Sequence, residues 1–89
     1  MSSTITTTGT SAPVTTTRLG AETVSHWVGR HNDSVAGATP SESTLTTTWK
    51  SGAVGKSVST TRLSGETDPE LLARHIVDYT TVMIEYPPS

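Results

Sequence analysis

Two histidines, His31 and His75, are the residues of this chain whose type and placement best suit chemistry. A pair of imidazoles can hold a metal ion or pass protons, and Glu22 and Glu66 are the carboxylates that could complete such a centre. A zinc site takes three or four ligands, and no short ligand motif such as His-x-x-x-His is present. The competing reading takes precedence: two buried histidines, each hydrogen-bonded to a strand carbonyl or a Thr hydroxyl. No metal and no cofactor is expected on that reading. Neutral burial would make both side chains sensitive to acid, because protonation would place charge in the core.

Arg18 and Arg62 stand four residues before Glu22 and Glu66. The structural reading places each carboxylate at a helix start, where it satisfies exposed N–H groups and binds the Arg in the turn. The functional reading has the guanidinium recognise a carboxylate or phosphate ligand at that helix end. Arg30 and Arg74 fall on the solvated helix face and could reach the same glutamates. Lys50 and Lys56 flank a predicted hairpin loop. Tyr79, Met83 and Tyr86 are expected to form an exposed, aromatic-rich end available to a partner.

These residues recur in step because the chain reads as a tandem duplication. Val14 to Val35 and Val58 to Tyr79 align without a gap at an offset of 44 residues, with nine of 22 positions identical. Thr-rich bias could supply the Thr matches. It would not supply Arg-Leu, Glu-Thr and Arg-His at one common offset. The match extends upstream with a small gap, Ser3 to Thr8 against Ser43 to Trp49.

Each copy reads strand, turn, strand, helix. In the second, β-branched Thr with Leu45 and Trp49 predicts a strand over Thr44 to Lys50. A loop follows from Ser51 to Lys56, then a return strand from Ser57 to Leu63. That pairing sets Leu45, Thr47 and Trp49 on one face with Val58, Thr60 and Arg62. The other face, Thr46, Thr48, Lys50, Ser57, Ser59 and Thr61, is wholly polar. Thr67-Asp68-Pro69-Glu70 starts a helix with a capping box, and Pro87-Pro88 ends it. Leu71, Leu72, Ile76, Tyr79, Val82, Met83 and Tyr86 give it an apolar stripe. Arg74 and Asp78, four apart, are expected to pair. The first copy predicts strands over Thr4 to Thr8 and Val14 to Leu19. Its helix, Thr23 to Ala36, is expected to be short or frayed because Gly29 and Asn32-Asp33-Ser34 weaken it.

The expected fold is α+β: a two-layer α/β sandwich from a tandem ββα-ββα repeat, with a four-stranded antiparallel sheet and two helices on one face. The expected organisation is a single domain over 1–89, with units 3–38 and 43–86. Hydrophobic residues make up 31% of the chain and there is no Phe, so the core is thin and self-association, with a homodimer foremost, is expected. Net charge is −2 with six Lys and Arg, which argues against a non-specific nucleic-acid or membrane binder. There is no Cys, no basic start with an apolar run over Met1 to Pro13, and no segment long enough to span a bilayer, which predicts a cytoplasmic protein.

No serine sits in a nucleophile elbow, and Gly52 to Ser57 only echoes a phosphate loop, with the wrong Gly spacing and a strand where a helix is required. The function expected is a small non-enzymatic protein-binding or self-assembly module. The rival is a β-ribbon that reads nucleic acid through Lys50, Lys56, Arg62 and the Thr/Ser hydroxyls. A third class, a small hydrolase or metal enzyme, would use His31, His75, Glu22 and Glu66.

Overall fold

Ile5, Leu45 and Trp49 fix which face of the sheet is buried, and Thr7, Thr16, Thr47 and Thr60 share that face by strand parity. The computed structural model describes residues 3–89. Met1 and Ser2, which belong to the N-terminal segment and to the expected domain span, lie outside the described residues. The elements run β1 (Thr4–Thr8), β2 (Val14–Thr17), α1 (Val24–Ala36), β3 (Thr44–Ser51), β4 (Val54–Thr61) and α2 (Asp68–Glu85). All pairings are antiparallel and the sheet order is β2-β1-β3-β4. This is an open α+β sheet with two helices.

Both helices cover one face. Thr7 and Thr47 share a hydrogen bond across β1 and β3, and each also contacts a histidine, one from α1 and one from α2. The buried side of the sheet carries Ile5, Thr7, Thr16, Leu45, Thr47, Trp49 and Thr60. The other side carries Thr4, Thr6, Thr46, Thr48, Lys50, Ser57 and Ser59, with Thr46 hydrogen-bonded to Ser59 at 2.9 Å. The buried apolar residues form two clusters. One joins Ile5, Trp27, Trp49, Tyr79 and Met83, and the other joins Val35, Leu45, Leu71 and Leu72.

The helix starts follow their sequence. Thr23 accepts from the His26 N–H at 3.1 Å. Thr67 and Glu70 form the capping box, with Pro69 in the first turn. α1, at 13 residues, is shorter than α2, at 18, as expected of it, and it is continuous to Ala36, where Val35 is fully buried and Asn32 accepts from the Tyr79 hydroxyl. One expectation is corrected. The β3–β4 loop is only Gly52-Ala53, with Gly52 at φ 63°, so Val54, Gly55 and Lys56 belong to the strand. A two-residue turn suits the sheet twist better than a six-residue loop. The shorter loop moves the register by two residues, to Thr47 against Val58 and Leu45 against Thr60, and an even shift leaves these residues on the shared face that the alternation predicts.

Gly9 ends β1 at φ 95°, and its carbonyl accepts from the N–H groups of Ser41 and Glu42. A Cβ there would lie 2.3 Å from the Thr44 carbonyl oxygen. Gly9→Ala therefore combines left-handed strain with a backbone clash and should cost about 2–4 kcal/mol, read as a lowered urea midpoint. An unchanged midpoint would contradict the close approach of Gly9 to β3.

Candidate functional site

His31 stands on α1 between Trp27 and Val35, and His75 stands on α2 between Leu71 and Tyr79. All six side chains are buried. On β3, Thr47 likewise separates Leu45 of one cluster from Trp49 of the other. The polar residues thus form a seam between two apolar clusters. Each ring nitrogen in that seam meets a Thr hydroxyl. His31 Nδ1 lies 2.8 Å from Thr16 and Nε2 2.7 Å from Thr7. His75 Nε2 lies 2.7 Å from Thr47 and Nδ1 2.7 Å from Thr60. Thr7 and Thr47 are 2.6 Å apart, and Thr60 donates to Asp78 Oδ2 at 2.6 Å. The result is one unbroken line: Thr16, His31, Thr7, Thr47, His75, Thr60, Asp78.

Donor counting fixes the direction of this line. A hydroxyl has one hydrogen to give, and a neutral imidazole has one N–H and one acceptor nitrogen. Thr60 spends its hydrogen on Asp78, so it accepts from His75 Nδ1–H. His75 Nε2 then accepts from Thr47. Thr47 has nothing left to donate, so Thr7 donates to it and accepts from His31 Nε2–H. His31 Nδ1 finally accepts from Thr16. Every bond points toward Asp78, and the two histidines carry opposite tautomers.

Both imidazoles are held neutral. Burial lowers the pKa of each to about 4, and for His31 the neighbouring His75 adds to the effect. For His75, Asp78 partly opposes that fall and Arg74 reinforces it. The Tyr79 ring sits edge-on to both imidazoles, at 5.9 Å from His31 and 5.2 Å from His75. Burial raises the pKa of the Tyr79 hydroxyl well above its ordinary value.

The glutamates and arginines form a second, twice-repeated device. Glu22 accepts from Arg30 Nε at 2.6 Å and Nη2 at 2.7 Å, and from the Leu19 N–H at 3.1 Å. Glu66 accepts from Arg74 Nε at 2.8 Å and Nη2 at 3.0 Å, and from the Leu63 N–H at 3.1 Å. These bidentate pairs hold both carboxyls down to about 2. The same guanidinium groups reach the last strand carbonyls, Arg30 to Thr17 and Arg74 to Thr61. Each clamp therefore ties a helix, a turn and a strand end together.

Arg18 and Arg62 do not bind the carboxylates. They donate to the main-chain carbonyls of Glu22 and Glu66 instead, and Arg62 also pairs with Asp68. The geometric reason is that Arg30 and Arg74 approach from the helix and occupy both carboxylate oxygens. Arg18 further lies over the Trp27 ring at 5.7 Å. The expected Arg74–Asp78 pair gives way to Arg74 with Glu66 and Asp78 with Thr60. Tyr79 and Met83 are buried, contrary to the exposure expected of them, because their stretch of helix closes over Trp27 and Trp49. Tyr86 is the exposed member of that set, and Lys56 Nζ lies 3.8 Å from its ring centroid.

Lys50 and Lys56 sit on opposite faces of the sheet, since Lys50 opposes Gly55 and Trp49 opposes Lys56. The hairpin accordingly presents no single basic face. Among the described residues, no three His, Cys, Asp or Glu side chains gather around a common point, and no helix is long and apolar enough to cross a membrane. No family model matches the chain, and comparison with curated proteins and with solved structures finds no significant match.

Sequence reasoning singles out the histidines and the glutamates; alternation places Thr47 and Thr60 on the packed face without naming them as histidine partners, and Thr7, Thr16 and the role of Asp78 are missed. In a chain this rich in Thr, only the strand register tells which core hydroxyl meets which ring. It also misses Asn32 and His26, which bonds Glu22 at 2.5 Å. The one available signal for His26 is its place in the first turn of α1, just after Glu22 at the helix entry.

Proposed function

We propose that this protein is a small non-enzymatic self-assembly module built from two related ββα halves, with a second copy as its first partner. The carrying observation is the exposed apolar surface. Leu19 and Leu63 are each 59% exposed, Val77 is 62% exposed and Ile84 is 83% exposed. Val77 and Ile84 are exposed on α2, and Ile84 lines, with Val24, Val28, Gly29, Thr80 and Met83, a shallow groove of about 310 Å³ between the helices. A small fold with a thin core gains from covering such surface.

The polar chemistry supports the same reading. The histidine line is closed within the core, and no buried side-chain polar atom among the described residues lacks a partner. Nearly all the residues identical between the halves have an internal role. Glu22 and Glu66 clamp, Thr23 and Thr67 cap, and His31 and His75 bridge. Leu19 and Leu63 are the apolar exceptions, kept at matching turns and exposed. These matching bonds, with the shared residues, are also what supports the duplication. A cytoplasmic setting fits a chain without Cys.

Sedimentation of the purified chain over a concentration series tests the proposal. Dimers or larger species are expected at tens of micromolar, a range typical of weak reversible association. A monomer that persists to about millimolar concentration would sink it.

A further inference from the structure

The two edges of the sheet are not alike. β2 is four residues long and follows Pro13; its Thr17 carbonyl is taken by Arg30, just as the Thr61 carbonyl of β4 is taken by Arg74. β4 is eight residues long, has no Pro, and carries one charge, Lys56. Long edge strands without Pro are templates for pairing.

The hairpin geometry identifies which groups of β4 are open. Ser51 and Val54 flank the two-residue turn and form a hydrogen-bonded pair, and Arg62 N–H reaches the Ser43 carbonyl at 2.8 Å. Val54, Lys56, Val58 and Thr60 therefore direct their main-chain groups to β3. Gly55, Ser57, Ser59 and Thr61 direct theirs outward. Arg74 already occupies the Thr61 carbonyl. Among the described residues, nothing bonds the outward N–H and C=O groups of Gly55, Ser57 and Ser59.

Resting on the assembly reading above, we infer that β4 pairs antiparallel with β4 of a second copy, with Ser57 opposite Ser57, giving one continuous eight-stranded sheet across the dimer. This register sets Gly55 against Ser59 of the partner and joins all six free groups of each copy. Arg74 stops the pairing at Thr61. The facing side chains suit it. On the outer face, Ser57 meets Ser57 and Ser59 meets Gly55, so nothing bulky intervenes. On the helix face, Lys56 lies opposite half-buried Val58 of the partner and diagonal to Thr60. Thr60 holds Asp78 there, so each lysine is brought toward the partner's carboxylate, twice by symmetry.

The test uses the full chain. Sedimentation is combined with amide hydrogen exchange at a concentration where the protein associates. The amides of Gly55, Ser57 and Ser59 should exchange at least about 100-fold more slowly there than in dilute protein, while outward Thr15 on the other edge should not change. Ser57→Pro removes an outward N–H without touching a β3–β4 bond, and should raise the dimer dissociation constant at least about tenfold. Lys56→Glu should weaken the dimer in the same direction, more at low salt.

Association that leaves those amides unprotected, or that Ser57→Pro leaves intact, overturns the edge inference while self-assembly stands. A wild-type monomer at all concentrations removes both. Protection that appears only when an extended peptide is added would put another chain on this edge and overturn self-pairing. If Ser57→Pro fails to fold, exchange in the wild-type protein decides.

Discussion

Acidification from about pH 7 to about pH 4 should remove a large part of the stability of this protein, through His31 and His75. Each imidazole has its pKa lowered by burial to about 4, against an ordinary value of 6.5. Between those values the unfolded chain binds more protons than the folded one, so stability rises with pH. The stabilisation is complete above about pH 6.5 and is lost as the pH falls toward 4. At roughly 1.4 kcal/mol per pKa unit, the loss reaches about 3 kcal/mol for each histidine. A small domain has only about 5–10 kcal/mol in total. The groups facing His31 are Thr7, Thr16, Tyr79 and His75, none of which compensates a new charge, and His75 makes it worse. Those facing His75 are Thr47, Thr60, Tyr79, Arg74 and Asp78, and only Asp78 favours protonation. The urea midpoint should therefore fall most steeply between about pH 6 and pH 4. A midpoint that is flat over that interval would mean the histidines are not buried neutral. The Glu22 and Glu66 clamps act in a separate window. Their pKa values are lowered to about 2, so their contribution is present above about 4.5 and is lost only below it.

Thr47→Val should be the most damaging isosteric change in the sheet, at about 2–4 kcal/mol. It deletes the hydroxyl that links the two histidine arms and leaves the acceptor nitrogen of His75 buried without a donor. Thr46→Val, one residue away on the outer face, should change stability by less than about 0.5 kcal/mol. Equal effects at the two positions would show that the Thr47 hydroxyl has no special place. Nitrogen chemical shifts at neutral pH give a sharper readout of the same line. His31 should carry its hydrogen on Nε2 and His75 on Nδ1. Finding both rings in one tautomer would contradict the direction derived from Asp78. Asp78→Ala removes the terminal acceptor, and the assigned tautomers should then give way to a mixture.

The fold is legible in the sequence wherever a residue type has one physical use. Thr67, Pro69 and Glu70 announce a helix start, and α2 begins at Asp68. The alternation in Thr44–Ser51 identifies its buried face, because Leu45 and Trp49 have no other place to go. The histidines are legible as core residues from their spacing among Trp27, Val35, Leu71 and Tyr79. Partners are harder to read than positions. Which hydroxyl meets which nitrogen depends on the β1–β3 register, set by chain segments about 40 residues apart and carrying no local signal. Asp78 reads as a surface charge for Arg74, since a four-residue helical spacing suits that pair. Only the packing of α2 over β4 turns it toward Thr60. The error over Val54 to Lys56 has a similar cause: two glycines suggest a long turn until the tight one at Gly52 is seen to need only one positive φ.

The hydroxyl pair at the centre of the sheet has a consequence for any attempt to redesign the molecule as a perfect palindrome. Thr7 and Thr47 share one contact, and only one of them can supply its hydrogen. Identical halves would thus hold two proton arrangements of equal energy and alternate between them, blurring both rings. The chain carries a carboxylate at 78 and Ser34 44 positions earlier, the place that corresponds under the proposed duplication. That inequality chooses one arrangement and gives the line of hydroxyls and imidazoles a polarity.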